Sequence, residues 1–97
     1  MFAYRWTMVV KPGCMEELVE LHKSVSFRVD YAKFRMYTPD ISPQFFVSEM
    51  IVESDEALNK WFAEFNATPE AEGFWEKFNA LTERMVSTER WNVIEAE

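Results

Sequence analysis

The spacing of hydrophobic residues changes several times along this chain, and the order of those changes limits the fold more than any other feature. From Phe2 to Lys11, large and smaller side chains alternate with a period of two, which predicts a strand. Pro12 and Gly13 end the alternation. Apolar side chains then recur at helical spacing between Cys14 and Val25, which predicts a helix whose opposite face is polar and exposed to solvent.

Two extended segments and a final strand complete the predicted sheet. Residues 27–37 and 44–52 flank the segment Thr38–Pro43, whose prolines cannot donate hydrogen bonds to a ladder. This pattern predicts a long hairpin. Residues 85–95 are rich in Val, Thr, Trp and Ile, which favours a last strand.

Two further helices are predicted between the hairpin and the last strand. Ser54 and Asp55 are candidate N-caps for a helix that carries apolar residues at i, i+3, i+4 and i+7 up to Phe65. Thr68 can cap a second piece, and Pro69 fits a first helical position. An apolar stripe then continues to Leu81.

The order β-α-β-β-α-α-β places the chain in the α+β class. It matches the ferredoxin-like βαββαβ arrangement, in which a four-stranded antiparallel sheet carries helices on one face. A length of 97 residues is typical of one domain, so we expect residues 1–97 to form a single domain with one core.

The strands predict that the second sheet face is covered as well. In the third strand both faces carry large apolar residues: Phe45, Val47 and Ile51 on one, and Phe46, Met50 and Val52 on the other. A second copy of the same sheet covers such a face most simply, because twofold symmetry makes one patch self-complementary. We therefore expect a homodimer through the sheet face.

Composition excludes several classes of function. Seventeen acidic against ten basic residues give a net charge of −7, which disfavours nucleic acid and anionic membranes as partners. The chain has no apolar run long enough to span a bilayer and no signal-peptide pattern, so we expect a cytoplasmic protein. One cysteine, one histidine and two glycines leave no Cys/His metal site and no glycine-rich phosphate loop. We expect no metal and no cofactor.

Several short segments resemble the dimeric α/β-barrel superfamily, and most closely its NIPSNAP-type branch. They are the opening Tyr4–Gly13 that leads into Glu16-Glu17-Leu18, the segment Arg35–Pro39, Glu49-Met50 before the helix 55–65, and Ala67–Ala71 followed by Phe74–Lys77. The resemblance implies two sheets packed face to face as a barrel, with a pocket between helices and sheet.

The same resemblance implies a choice of functions. Similar proteins degrade haem, oxygenate aromatic polyketides without a cofactor, isomerise small molecules or have no known activity, and fold alone does not choose among them. Similar haem-degrading enzymes use a histidine on the second helix and an asparagine in the first strand. This chain has neither, although Trp61 stands where those enzymes carry a helix tryptophan. Haem chemistry is therefore not expected.

Two residues are candidate catalytic groups. His22 lies at the edge of its helix's apolar stripe, where a pocket could open, and an ordinary imidazole pKa suits proton transfer. A boundary histidine that only bonds a neighbour is the structural alternative. Arg35, with Tyr37 nearby, could hold the carboxylate or enolate oxygen of an acidic substrate.

Aromatic residues supply the candidate ligand-binding set. An aromatic wall with a few polar groups suits a flat apolar ligand, and aromatic stripes also form ordinary cores. With His22, the candidates are Tyr4, Trp6, Tyr37, Trp61, Phe65 and Trp75.

Charged residues in the predicted strands need partners if both sheet faces are covered. With the strands ordered 4-1-3-2, Arg5 would lie between Glu49 and Glu89, so we expect a cross-strand salt-bridge cluster.

Three hypotheses remain open: a dimer that binds a small apolar or aromatic molecule, a cofactor-independent monooxygenase or isomerase of an aromatic compound, and a structural dimer with a filled interior.

Overall fold

A computed structural model describes residues 1–41 and 44–94. The elements follow the predicted order: β1 (Phe2–Val10), α1 (Met15–Lys23), β2 (Ala32–Tyr37), β3 (Phe45–Val52), α2 (Asp55–Asn66), α3 (Ala71–Leu81) and β4 (Thr82–Asn92). The strands form one antiparallel sheet ordered β2-β3-β1-β4. This is the predicted ferredoxin-like arrangement, with its long helix in two pieces.

The two faces of the sheet have different roles. Alternate side chains of β1 and β3, among them Met8, Phe46 and Met50, are buried against the helices. Leu18 of α1 and Phe65 of α2 complete this core, and both are fully buried. The other face carries no helix, and we call it the helix-free face. None of the helices in the two described ranges is long and apolar enough to cross a membrane.

Several predicted boundaries are wrong. Helix α1 ends at Lys23, and β2 begins at Ala32 instead of residue 27, so that residues 24–31 form an irregular segment. Ala32 already pairs with Val52, the last residue of β3, so the residues before it have no strand partner there. A carboxylate of Glu70 instead binds the backbone N–H groups of Ser26 and Phe27, at 3.2 and 2.9 Å.

The last helix and strand also differ from prediction. Ser54 caps α2 as expected, accepting from the Ala57 N–H at 3.2 Å. Thr68 does not cap α3, because its hydroxyl donates to the Phe65 carbonyl at 2.7 Å, and the helix begins only at Ala71. Consequently Pro69 is not a helical residue. β4 starts at Thr82, directly after α3, and ends at Asn92.

Parts of two predicted elements lie outside the described residues. They are Ser42 and Pro43 of the hairpin connection, and Glu95 at the predicted end of the last strand.

Candidate functional site

A cavity of about 580 Å³ lies between the helices and the sheet. Its walls are mainly aromatic and methionine side chains, with a few polar residues. The aromatic lining consists of Tyr4, Trp6, Phe27, Phe34, Trp61, Phe62, Phe65, Phe74, Trp75 and Phe78. The methionines are Met8, Met36, Met50 and Met85, and the polar residues are His22, Lys23, Arg28, Arg35 and Ser48. This size and lining are typical of a small-molecule pocket.

Helices α2 and α3 hold the aromatic walls in fixed relation. Trp61 and Phe65, four residues apart on α2, stack with ring centroids 4.9 Å apart and planes 12° from parallel. Phe74 of α3 meets Phe65 edge to face at 5.5 Å. Edge-to-face and offset contacts are favourable ring geometries, so these walls are stable without a ligand.

Trp61 presents an unpaired polar group. Its side chain is only 8% exposed, and its indole N–H has no hydrogen-bond acceptor within the described part of the chain. A buried donor without an acceptor costs about 1–3 kcal/mol, and such groups are uncommon in folded proteins. Since Trp61 lines the cavity, an acceptor supplied from the cavity would remove that cost.

His22 enters the cavity from the last turn of α1. Its Nδ1 lies 2.8 Å from the Leu18 carbonyl oxygen, which can only accept, so Nδ1 carries the proton in the neutral ring. Nε2 is then the unprotonated nitrogen. The ring packs against Phe46 and Phe74, with centroids 4.8 and 5.4 Å away. Burial in these surroundings lowers the pKa of His22, while the Leu18 hydrogen bond opposes part of that shift.

The lowered pKa of His22 makes a prediction about pH. Because the folded protein binds this proton less readily than the unfolded chain, His22 contributes stability above pH 6.5 that is lost as the pH falls below it. As the only histidine, its imidazole C–H signal can be followed by proton NMR without assignment. We expect a titration midpoint below 6.5. A midpoint at or above 6.5 would contradict this burial. In His22→Gln, the part of the stability loss below pH 6.5 that comes from His22 should be absent.

The irregular segment 24–31 forms one wall of the cavity through Val25, Phe27 and Arg28. Glu70 fixes the start of this wall, because its carboxylate also accepts from the Ser26 hydroxyl at 2.9 Å. The Ser26 N–H is the main cause of a lowered pKa at Glu70. At the other end of the segment, the Tyr31 hydroxyl donates to Glu64. The wall is therefore fastened to the helices by two carboxylates.

The predicted salt-bridge cluster lies on the helix-free face and has a different third member. Arg5 pairs with both Glu49 and Glu89 in the strand register, as expected. Arg5 Nε donates to Glu49 at 2.6 Å, and the Tyr37 hydroxyl donates to the other Glu49 oxygen at 2.8 Å. Within the described residues no ion pair joins Arg5 to Glu89. The Glu49 hydrogen bond is the main cause of a raised pKa at Arg5.

Six of the seven candidate ligand-binding residues line the cavity: Tyr4, Trp6, His22, Trp61, Phe65 and Trp75. Tyr37 does not, since its hydroxyl is bound to Glu49 on the helix-free face. Arg35 belongs to the lining, although its pairing with Glu49 places its Cβ on the helix-free face, so it can contribute only at the sheet edge. The structure therefore does not bring Arg35 and Tyr37 together in the cavity.

Sequence reasoning missed the aromatic cavity residues on segment 24–31 and β2. Phe27 and Phe34 face Trp61, with ring centroids 6.0 and 5.2 Å away. Both were placed in a predicted strand, where period-two spacing gave no sign of a helix contact. No cluster of three or more potential metal ligands occurs in ranges 1–41 and 44–94.

Known structures share this fold. No protein-family model and no curated protein matches the sequence. An uncharacterised NIPSNAP-like domain protein from Burkholderia xenovorans is 16% identical with a TM-score of 0.79, covering 99% of this chain and 87% of that one. A protein from Chloroflexus aurantiacus J-10-fl, provisionally named an antibiotic biosynthesis monooxygenase, is 9% identical with a TM-score of 0.79, covering 99% and 95%. A NIPSNAP family protein from Agrobacterium tumefaciens C58 is 11% identical with a TM-score of 0.77, covering 97% and 93%.

Proposed function

We propose that this chain binds a small aromatic molecule in the cavity between its helices and its sheet. The chain shares the ferredoxin-like fold of antibiotic biosynthesis monooxygenase-like and NIPSNAP structures. The observation that carries this proposal is the open aromatic cavity of about 580 Å³. It also argues against a filled interior, because a purely structural domain would close such a space to keep its packing contacts.

An oxygen atom on the ligand would accept from the Trp61 N–H. That nitrogen is shielded from water in the ligand-free chain, so the acceptor reaches it only when a neighbouring ring moves. We infer that this ring is Phe34, because it is the most exposed ring in contact with Trp61, at 44%, and lies on the edge strand β2. Trp61 therefore orients the ligand, and the surrounding rings supply most of the binding energy.

Calorimetric titration with 2-naphthol and naphthalene tests this role of Trp61. We expect Trp61→Phe to weaken 2-naphthol binding by about fivefold, the value of one neutral hydrogen bond. Naphthalene lacks the oxygen and should bind both proteins equally, which separates the hydrogen bond from any change of shape. Trp91→Phe is the matched control, since Trp91 is exposed and lies outside the cavity lining. Equal 2-naphthol affinity for wild type and Trp61→Phe would reject the assignment.

A second candidate function is cofactor-independent oxygenation of a phenolic aromatic compound. The observation that favours it is the tautomer of His22, whose unprotonated Nε2 belongs to a residue of the cavity lining. Nε2 would take a proton from the substrate, leaving an anion that dioxygen oxidises. Oxygen consumption with a hydroxyanthrone tests this candidate. In the reaction, dioxygen converts the CH₂ group of the hydroxyanthrone to C=O and releases water. This activity should be lost in His22→Gln and kept in Trp91→Phe, a control that retains His22.

The assembly proposed for this function is a homodimer through the helix-free face, located in the cytoplasm. That face presents Tyr37 and Trp91, which are 38% and 52% exposed. Phe45, Val47 and Ile51 of β3 lie on the same face and are partly exposed. A second copy would cover this apolar surface and the Arg5–Glu49 pair together.

A further inference from the structure

The charged residues of the cavity lining are all of one sign. Lys23, Arg28 and Arg35 belong to its lining, whereas no Asp or Glu of the described ranges does. The chain as a whole has the opposite balance, with seventeen acidic and ten basic residues. Three basic side chains and no acidic one in the lining favour an anionic ligand over a cationic one.

Two of these residues are connected at the end of α1, where the Arg28 side chain binds the Lys23 main chain. Arg28 donates from Nη2 to the Lys23 carbonyl at 3.5 Å and from Nη1 to the Phe27 carbonyl at 3.1 Å. Carbonyl groups hold the guanidinium in place but do not neutralise it. Arg28 has no carboxylate at ion-pair distance in the described part of the chain, and its five N–H donors are not all used.

The nearby carboxylates do not satisfy these cations. Glu70 is occupied by the Ser26 and Phe27 donors, and Arg28 makes only a minor contribution to its lowered pKa. Lys23 Nζ is 3.9 Å from Glu20, and both side chains are more than half exposed. An exposed pair of this kind contributes little and is easily exchanged for another partner.

We propose that the ligand of this cavity is an aromatic carboxylate whose anionic group binds Lys23 and Arg28. The inference rests on the proposed function, because the aromatic part of the ligand occupies that cavity. Phe27, adjacent to Arg28 in sequence, lies with its ring centroid 6.0 Å from that of Trp61. Arg28, Phe27 and Trp61 all belong to the cavity lining, so a ligand with its ring against Trp61 and its anionic group at Arg28 would lie within one cavity.

Binding of 2-naphthoate and 2-naphthamide at pH 7 tests the proposal, because the two probes share their rings and differ in charge. We expect wild type to bind 2-naphthoate about tenfold more tightly, as for a charge-assisted hydrogen bond. The double variant Lys23→Gln/Arg28→Gln should lose this preference and bind the two probes with equal affinity. Lys77→Gln is the matched control, since it removes an exposed positive charge outside the cavity lining.

These titrations distinguish failure of the anion site from failure of the proposed function. Equal affinity of wild type for both probes, or a preference that survives in the double variant, would overturn the anion site while leaving the aromatic cavity in place. If neither probe binds, the proposed function itself fails. A preference lost equally in Lys77→Gln would show a general charge effect and would also overturn the anion site.

Discussion

Replacing Phe65 by alanine is expected to lower the free energy of unfolding by about 3–5 kcal/mol, as for other fully buried phenylalanines. Phe65 is 0% exposed and contacts Trp61, Phe74 and Trp75, so its removal leaves the cavity walls of α2 and α3 without their common support. A loss of that size is a large part of the stability of a domain this small. Urea denaturation at fixed protein concentration measures it.

Phe34→Ala is the matched control for Phe65→Ala. It removes the same side chain from the same cavity, but Phe34 is 44% exposed on an edge strand. We expect a loss of less than about half that of Phe65→Ala, because less apolar surface returns to water. A larger loss in Phe34→Ala than in Phe65→Ala would contradict the account in which the cavity wall formed by α2 and α3 stabilises the fold more than the wall formed by β2.

A charge on the helix-free face is expected to separate the proposed dimer. Val47 lies on β3 between Thr7 and Tyr37 of the neighbouring strands, so Val47→Asp would bury an unpaired carboxylate between two sheets. Sedimentation should then give the mass of one chain, against twice that mass for wild type. Circular dichroism establishes that the variant is folded.

Ala63→Asp is the control for Val47→Asp, since Ala63 is exposed on α2 and lies far in the fold from the helix-free face. It should sediment like wild type. A monomeric wild type, or a Val47→Asp variant that keeps twice the chain mass, would contradict the homodimer.

The strand register is the part of the site that alternation predicts best. A period of two fixes which side chains share a face, and the order 4-1-3-2 then places Arg5 opposite Glu49. Tyr37 was the exception within this face. Its aromatic ring suggested a ligand contact, but the register aligns it with Val47, two residues from Glu49 along β3, and its hydroxyl turns to the Glu49 carboxylate.

The irregular segment 24–31 could not be predicted because its contacts are made with distant residues. Its apolar residues have the spacing of a strand, yet Glu70, more than forty residues later, binds the Ser26 and Phe27 amides. The same limit applies to Trp61 and His22. The unpaired indole N–H and the protonated Nδ1 depend on which neighbours lie within hydrogen-bond distance, and helical spacing gives only the face on which each residue lies.

The indole N–H signals of the four tryptophans test the central claim, a cavity in which Trp61 donates to an aromatic ligand. In ¹H–¹⁵N NMR spectra, assigned with Trp→Phe variants, saturating 2-naphthol should move the Trp61 proton signal downfield as it gains an acceptor. The signal of Trp91, on the other side of the sheet, should stay in place. An unchanged Trp61 signal at saturating 2-naphthol, or a shift confined to Trp91, would contradict the account.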